Sequence, residues 1–273
     1  MNRILASART EFIIALRNRW ITISVAMMVL FSLVLSAAGS APTGALGADK
    51  LSVTVASLTS LAVYLVPLVA LLMSFDAIAG EIERGTLPLV LTYPVKRGEL
   101  VLGKFTAHLA ILAIAIAAGY GIAAIAAVAT DQNAFLGLPA LLRLFWSSLL
   151  LGAAFIGIGY GISAFARRPG AAAGLVIGLW LVLIVLYDLG LLAAIVADDG
   201  GTFTNDYFQW LLLGNPADAF RLYNLAASDA TTAAAGLAGA ANSIPPVHAL
   251  ISILAWPVAA IGIALLAFRR VTP

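Results

Sequence analysis

Apolar residues form six long runs along the chain, and short stretches with charged or turn-forming residues separate them. The runs cover about 20–38, 53–75, 105–129, 144–165, 171–196 and 247–268. A helix needs roughly 20 apolar residues to cross the hydrocarbon core of a bilayer. The pattern therefore predicts an all-α integral membrane protein, with one transmembrane domain over residues 1–273 and six transmembrane helices.

Composition agrees with a bilayer as the surroundings of this chain. Hydrophobic residues make up 62% and charged residues 10% of the 273 positions, and the mean hydropathy is +1.04, whereas a soluble domain carries about 25% charged residues. The net charge is +2 and the basic residues lie between apolar runs, so nucleic-acid binding is not expected. The chain has no Cys, two His and four Met, which is a poor ligand set for a transition metal. We expect no cofactor or metal site.

Charge placement orients the six spans. With the N-terminus inside, twelve Lys and Arg residues fall in inner segments and three fall in outer ones, namely Lys50, Arg143 and Arg221. Loops on the cytoplasmic side carry the excess of basic residues in membrane proteins. The sequence therefore predicts a multi-pass protein with both termini in the cytoplasm.

The first 19 residues precede the first span and have helical periodicity. Ile4, Leu5, Ala8, Phe12 and Leu16 fall at helical spacing, which predicts an amphipathic helix in the inner membrane interface. A basic tail that only sets the topology is the alternative.

The longest inner connection, residues 76–104, carries most of the charged residues between spans. It reads DAIAGEIERGTLPLVLTYPVKRGELVLGK. The pattern predicts a short charged helix, a break at Gly85 and Pro88, and a second basic segment that leads back into the membrane. Such a helix could transmit force from a cytoplasmic partner, or the segment could be a solvated loop whose charges only stop translocation. Residue patterns alone leave both open.

Part of this loop imitates a phosphate-binding loop. Gly98, Gly103 and Lys104 have the spacing of that motif, but a P-loop requires a preceding strand and a Ser or Thr after the Lys. Phe105 stands there instead and a membrane span follows. The chain is therefore not expected to hydrolyse ATP or to be an enzyme.

The same loop resembles that of the type 2 ABC transporter permeases, a resemblance whose hydropathy pattern covers nearly the whole chain. The similar stretches are Glu81–Leu87, Pro94–Arg97 and Leu102–Lys104. The resemblance implies a coupling helix over Asp76–Thr86 that sits in a groove of a separate cytoplasmic ATPase, which binds ATP and Mg²⁺. It implies ATPase-coupling roles for Asp76, Glu81, Glu83, Arg84, Gly85, Thr86, Lys96 and Arg97.

Residues 197–246 form the longest outer segment. Two short helices, Tyr207–Leu213 and Pro216–Ala227, are predicted on either side of a Gly214-Asn215-Pro216 break. This segment also resembles that of the type 2 permeases, in which re-entrant helices between spans five and six cap the outer end of the pathway. The stretch GNPADAFRLYNL narrows the resemblance to the permeases of nitrous oxide reductase maturation systems.

That narrower resemblance implies a specific assembly in the inner membrane of a bacterium. It implies a homodimer, with a cytoplasmic ATPase on each copy and a periplasmic β-helical accessory protein that works with a copper chaperone lipoprotein. Candidates for the periplasmic docking surface are Asp198, Asp199, Asp206, Asn215, Asp218, Arg221 and Asp229. A solvated acidic loop is the alternative. Because soft ligands are scarce in the spans, we do not expect this subunit to conduct copper. It would instead couple ATP hydrolysis to conformational work on an outer partner, or export another species such as a sulfur compound.

Other functions remain open from sequence. A general type 2 exporter of drugs, lipids or polysaccharides is the main alternative, followed by an ion-coupled transporter and a membrane-embedded enzyme. Asp188, near the outer end of span five, is a possible pathway residue because a carboxylate at membrane depth is costly. His108 and His248 are expected at opposite interfaces. Two glycine-rich stretches, Gly157–Gly161 and Gly170–Gly178, predict close helix packing.

Overall fold

A computed structural model describes residues 2–38, 49–93, 95–225 and 245–271. The predicted turn residue Pro94 and the docking candidate Asp229 lie outside these ranges. Within them the chain contains helices and no strand, which confirms the all-α prediction. The α-helices are α1 (Asn2–Leu16), α2 (Arg19–Ala38), α3 (Lys50–Ser74), α4 (Asp76–Glu83), α5 (Leu87–Thr92), α6 (Arg97–Val128), α7 (Leu138–Ala166), α8 (Pro169–Trp180), α9 (Tyr187–Asp198), α10 (Phe208–Gly214), α11 (Pro216–Leu225) and α12 (Pro246–Arg269).

Three short helices of other types join these elements. A 3₁₀ turn, Ala134–Gly137, precedes α7, and π-helical turns occupy Leu181–Leu186 and Phe203–Tyr207. The first π turn connects α8 to α9, so that residues 169–198 form one continuous span. The apolar sequence LVLIVL has no local feature that predicts a π turn.

Five helical segments of the described chain are long and apolar enough to cross a membrane: Lys50–Glu83, Arg97–Val128, Ala134–Ala166, Pro169–Asp198 and Pro246–Arg269. Helices α1 and α2 pass the same test together, with a bend of 76° between them, and give a sixth. These segments correspond to the six predicted apolar runs. The bend separates the helix that was predicted to lie in the interface from the predicted first span.

Spans two and four, α3 and α7, form the centre of the bundle, and α12 packs against α7. A Cβ on Gly157 would lie 2.8 Å from the Cβ of Ala260, and one on Gly159 would lie 2.9 Å from the Cβ of Ser74. Real Cβ atoms do not approach that closely, so glycine is required at both positions. The predicted packing role of Gly157–Gly161 is confirmed.

The second glycine ridge behaves differently. A Cβ on Gly170, Gly174 or Gly178 would meet no described atom within 4 Å. Span five is also the least buried of the five spans, with 11% of its most apolar stretch buried against 67% for span two. The ridge therefore faces away from the described helices of its own chain.

Helix α6 begins at Arg97, well before the predicted start of span three at residue 105. The Glu99 carboxylate accepts a hydrogen bond from the Lys96 backbone N–H at 2.8 Å, which satisfies a free donor near the helix start. The Arg97 guanidinium donates to the carbonyls of Phe268 and Val271 at 3.1 and 2.6 Å. Lys96 and Arg97 thus sit at helix ends, and Lys104 lies on the span itself.

Helix α1 packs along α6 through residues outside the apolar stripe that was predicted to face the membrane interface. Leu5 and Leu16 of the predicted apolar stripe are 63% and 56% exposed. Ser7 and Glu11 contact α6 instead: a Cβ on Gly103 would lie 2.6 Å from the Ser7 Cβ, and Glu11 binds Lys104. This contact uses a glycine and a buried cation of α6, and the placement of the apolar stripe in the membrane interface stays a prediction.

Candidate functional site

Helix α4 occupies most of the segment predicted to form the coupling helix, and span four fixes its start. The Ser163 hydroxyl of α7 donates to the Phe75 carbonyl at 2.6 Å and accepts from the backbone N–H groups of Ile78 and Ala79 at 3.1 and 2.9 Å. Ser163 is fully buried. The first N–H groups of a helix have no partner within it, so Ser163 holds α4 in place by satisfying two of them.

The end of α4 explains the Arg-Gly-Thr sequence. Gly85 has φ +65°, a conformation that glycine adopts without a Cβ penalty. Its N–H donates to the Ile82 carbonyl at 3.1 Å, and the Thr86 N–H donates to the Glu81 carbonyl at 3.0 Å. This is the pattern of a Schellman motif. It stops the helix and leaves Glu83 and Arg84 exposed at its tip.

Gly80 has a second spatial role on α4. A Cβ there would lie 2.7 Å from the Asp76 Cγ and 2.8 Å from an Arg84 nitrogen. The absence of that Cβ lets Asp76 and Arg84 pair across the helix at 3.4 Å. The Arg84 side chain is 57% exposed, so this pair contributes little stability.

The centre of the site is a buried cation, Lys104, which contacts two carboxylates. Its Nζ lies 2.8 Å from Glu11 Oε2 and 2.7 Å from Glu81 Oε1, and its side chain is 3% exposed. The three residues, here called the inner cluster, join α1, α4 and α6. Glu81 Oε2 is buried and has no hydrogen-bond partner in the described chain. Removing one partner of such a buried pair typically costs about 3–5 kcal/mol.

One turn further along α6, His108 continues the same buried face. It is 3% exposed, and its Nδ1 lies 2.7 Å from the Tyr160 hydroxyl of α7. His108 therefore faces the interior of the bundle, and its predicted depth at the membrane interface stays a prediction. His248, by contrast, is exposed at the start of α12, near Trp210.

The surface next to the tip of α4 combines charge with apolar side chains. Leu89 and Tyr93, on or directly after α5, are 64% and 67% exposed, and Glu83 and Arg84 are exposed beside them in sequence. Exposed aromatic and charged side chains on a short, firmly held helix are suited to contact with another protein. We call these four residues the tip surface.

At the other end of the bundle, Arg221 occupies a comparable position between two carboxylates. Its guanidinium lies 2.9 Å from Asp188 Oδ2 and 3.2 Å from Asp218 Oδ1. These three residues, the outer cluster, join α11 to span five. Asp218 is 1% exposed, and its Oδ2 has no partner among the described residues. Burial, reinforced by Asp188 and opposed by Arg221, raises the pKa of Asp218 to about 7.

Asn215 connects the outer helices to the π turn of span five. Its Nδ2 donates to the Leu183 carbonyl at 2.6 Å, and its Oδ1 accepts from the Ala217 N–H at 2.9 Å. One amide thus caps α11 and satisfies a carbonyl of the π turn. The predicted break at Gly214–Pro216 is confirmed, with α10 ending at Gly214 and α11 beginning at Pro216.

The candidate docking residues separate into buried and exposed groups. Asn215 and Asp218 are buried, so they support the outer helices from within and present no surface to a partner. The Asp198 carboxylate accepts from the Thr204 N–H at 2.8 Å, whereas Asp199 and Asp206 are exposed. No three His, Cys, Asp or Glu side chains of the described ranges could together hold a metal ion.

Sequence motifs did not indicate the roles of Glu11, Ser163 and Lys104, because the partners of these residues lie far away in the sequence. Glu11 and Ser163 had no recognised role, and Lys104 was seen only as part of a motif that leads into span three. Glu11 stands within an apolar pattern, and Ser163 is one of several small residues in α7. The only local hint for Glu11 was its position as the acidic residue of a basic N-terminal segment.

Comparison with known proteins agrees with this architecture. The ABC-2 family transporter protein profile matches residues 5–272. The chain is 43% identical over 267 residues to the probable ABC transporter permease protein NosY of Pseudomonas aeruginosa, which covers 96% of each chain. It is 39% identical over 279 residues to the protein of the same name in Stutzerimonas stutzeri, which covers 99% of each. The chain therefore belongs to the ABC-2 transporter family and is an ABC transporter permease.

Proposed function

We propose that this permease couples ATP hydrolysis by a separate cytoplasmic ATPase to mechanical work on a periplasmic partner during maturation of the copper site of nitrous oxide reductase. ATP and Mg²⁺ belong to the ATPase, and the permease contributes no catalytic group. Both termini lie in the cytoplasm and the chain resides in the bacterial inner membrane. The relatives named NosY and the stretch GNPADAFRLYNL support the assignment to this process.

The observation that carries the coupling role is the way α4 is held. Ser163 fixes its start to span four, and Glu81 ties its middle to span three and α1 through Lys104. The tip surface stays exposed at the same time. A helix held this firmly moves with its neighbours, so a push on its tip reaches spans three and four and helix α1.

Charge reversal at the tip tests this role. The double variant Glu83→Arg/Arg84→Glu keeps net charge and leaves the inner cluster intact, because neither side chain belongs to it. We expect loss of the co-purified ATPase, or an ATPase that binds without responding to the permease. Arg270→Glu is the control, since Arg270 is exposed at the end of α12 on the same side. Unchanged assembly and turnover in the double variant would refute the placement.

A tagged purification from native membranes tests the process. Co-elution of an ATPase and a periplasmic β-helical protein supports maturation of the reductase. An ATPase alone supports a general exporter of drugs, lipids or polysaccharides. We place the outer contact at Asp199 and Asp206 because these candidates are exposed; the copper chaperone lipoprotein would act through the periplasmic partner.

The permease is proposed to act as a homodimer through span five. Its unoccupied glycine ridge and low burial support this, because small residues let the backbones of two helices approach closely. The cysteine-free chain makes disulfide cross-linking clean. Gly174→Cys should form a dimer on oxidation, whereas Gly121→Cys, on span three with equally open surroundings, should not. Equal cross-linking of both would contradict the assignment.

A further inference from the structure

Two neighbouring cavities lie beside the inner cluster, between α1 and the coupling helix. The first, of about 500 Å³, is lined by six charged residues: Glu11, Arg17, Asp76, Glu81, Arg84 and Lys104. The second, of about 480 Å³, is largely apolar, with Ala6, Val95 and Leu100 in its lining. Glu11, Ile14, Glu81 and Val90 line both. A charged compartment and an apolar one therefore meet along a shared wall.

The first cavity is lined by three acidic and three basic residues, but these residues do not form three separate ion pairs. Lys104 is shared by Glu11 and Glu81, and Arg84 pairs with Asp76. This leaves Arg17 without a carboxylate partner among the described residues. It also leaves the inner cluster with one negative charge in excess. A ligand that satisfies the cavity therefore needs a negative group for Arg17 and a positive group for the carboxylates.

The positive group must also donate hydrogen bonds. Glu81 Oε2 is buried without a donor from the described chain, and an unsatisfied buried carboxylate oxygen is costly. Glu81 itself lines both cavities. A primary ammonium supplies the N–H groups, whereas a quaternary ammonium has none.

We propose that the paired cavities bind a phospholipid with a phosphoethanolamine headgroup. The phosphate pairs with Arg17, the ammonium with Glu81, and the start of an acyl chain enters the apolar cavity. The inference rests on the proposed function in one respect, the cytoplasmic position of the N-terminus. That orientation places the bend between α1 and α2 at the depth of the inner-leaflet headgroups. Bound there, the lipid braces α4 against α1.

Native mass spectrometry of the delipidated full-length chain tests this without any partner protein. Phosphatidylethanolamine should bind at least about tenfold more tightly than phosphatidylcholine, which lacks N–H donors, and phosphatidylglycerol, which lacks the ammonium. Equal binding of the three lipids overturns the proposal. Water-soluble glycerophosphoethanolamine should compete weakly; competition as strong as that of the lipid overturns the assignment to a lipid.

Variants locate the site. Arg17→Gln and Glu81→Gln should each abolish the preference for phosphatidylethanolamine. Arg9→Gln removes one positive charge from an exposed position of α1, outside both cavities, and should retain the preference. Loss of the preference in the Arg9 variant alone would contradict the placement. Because the assay contains no ATPase, its failure is independent of any failure of the coupling role.

Discussion

The inner and outer clusters share one design, a cation between two carboxylates at the junction of a non-spanning helix and the bundle. In the inner cluster the cation is the buried member, with Lys104 3% exposed between carboxylates that are 14% and 15% exposed. In the outer cluster a carboxylate is the buried member, with Asp218 2% exposed, whereas Arg221 and Asp188 are 22% and 29% exposed. Each cluster also has one buried carboxylate oxygen without a partner in the described chain.

The difference lies in what each cluster connects. Lys104 binds residues 93 and 23 positions away, on two separate helices. Arg221 makes one of its two contacts to Asp218 within its own helix. Because a local contact survives rearrangement of the bundle and a long-range one does not, the inner cluster reports how α1, α4 and α6 are arranged. The outer cluster mainly secures α11 against span five.

The most disruptive test of this comparison removes the inner cation. Lys104→Met leaves Glu11 and Glu81 facing each other with no cation, and we expect a loss of about 4 kcal/mol in unfolding free energy. Denaturation in mixed micelles measures it. Adding Glu11→Gln and Glu81→Gln should recover most of the loss, because no stranded charge remains. A Lys104→Met protein as stable as the wild type would show that the cluster is not buried from solvent.

Removing the outer cation should have a smaller effect. Arg221→Met leaves Asp188 and Asp218 unpaired, but Asp188 is 29% exposed and Asp218 can take up a proton. We expect a loss of about 3 kcal/mol by the same measurement. A loss larger than that of Lys104→Met would reverse the ranking of the two clusters.

A third variant asks whether the inner cluster alone holds the coupling helix. Ser163→Ala leaves two N–H groups and one carbonyl at the start of α4 without this partner, and we expect about 2 kcal/mol of destabilisation. Ser74→Ala is a matched control, because the buried Ser74 hydroxyl donates only to carbonyls of its own helix. Similar stabilities of the two variants would mean that Lys104 and Glu81 suffice to hold α4.

The smallest expected effect is a pH dependence of the unfolding free energy that arises from the outer cluster. The folded-state pKa of Asp218, about 7, lies above the roughly 3.9 of an unfolded Asp. The folded protein therefore holds an extra proton between these values, and the stabilisation is lost as pH rises through 7. From pH 6 to 8 the wild type should lose about 1.4 kcal/mol more than Asp218→Asn. An identical pH dependence of both proteins contradicts a protonated Asp218.

Hydropathy was sufficient to predict the spans, because a bilayer requires long apolar runs whatever their neighbours are. The break around Asn215 was also predictable, since Gly, Asn and Pro favour a turn locally. Neither hydropathy nor local turn preference predicts contacts between residues that are far apart in the sequence. The π turn at Leu181–Leu186 is matched by an Asn amide 32 positions from Leu183, and nothing within the turn itself indicates that contact.

The same limit explains the inner cluster. In the sequence, Gly103 and Lys104 resemble part of a phosphate-binding loop. In the structure, Gly103 packs against Ser7 of α1 and Lys104 binds Glu11 of the same helix. Only the folded arrangement brings these residues together. The periodicity of α1 predicts a stripe for the membrane interface, and it carries no signal for the separate face that a glycine and a buried charge on α6 select for packing.

The contact of Ser163 with the coupling helix involves only main-chain atoms: one carbonyl and two N–H groups. Every amino acid except proline supplies the same N–H groups at positions 78 and 79. The outward residues at positions 83 and 84 can therefore diverge freely while the helix keeps its place. Under the proposed coupling role, a permease of this design can exchange one ATPase for another by changing the tip of α4, without rebuilding the membrane bundle behind it.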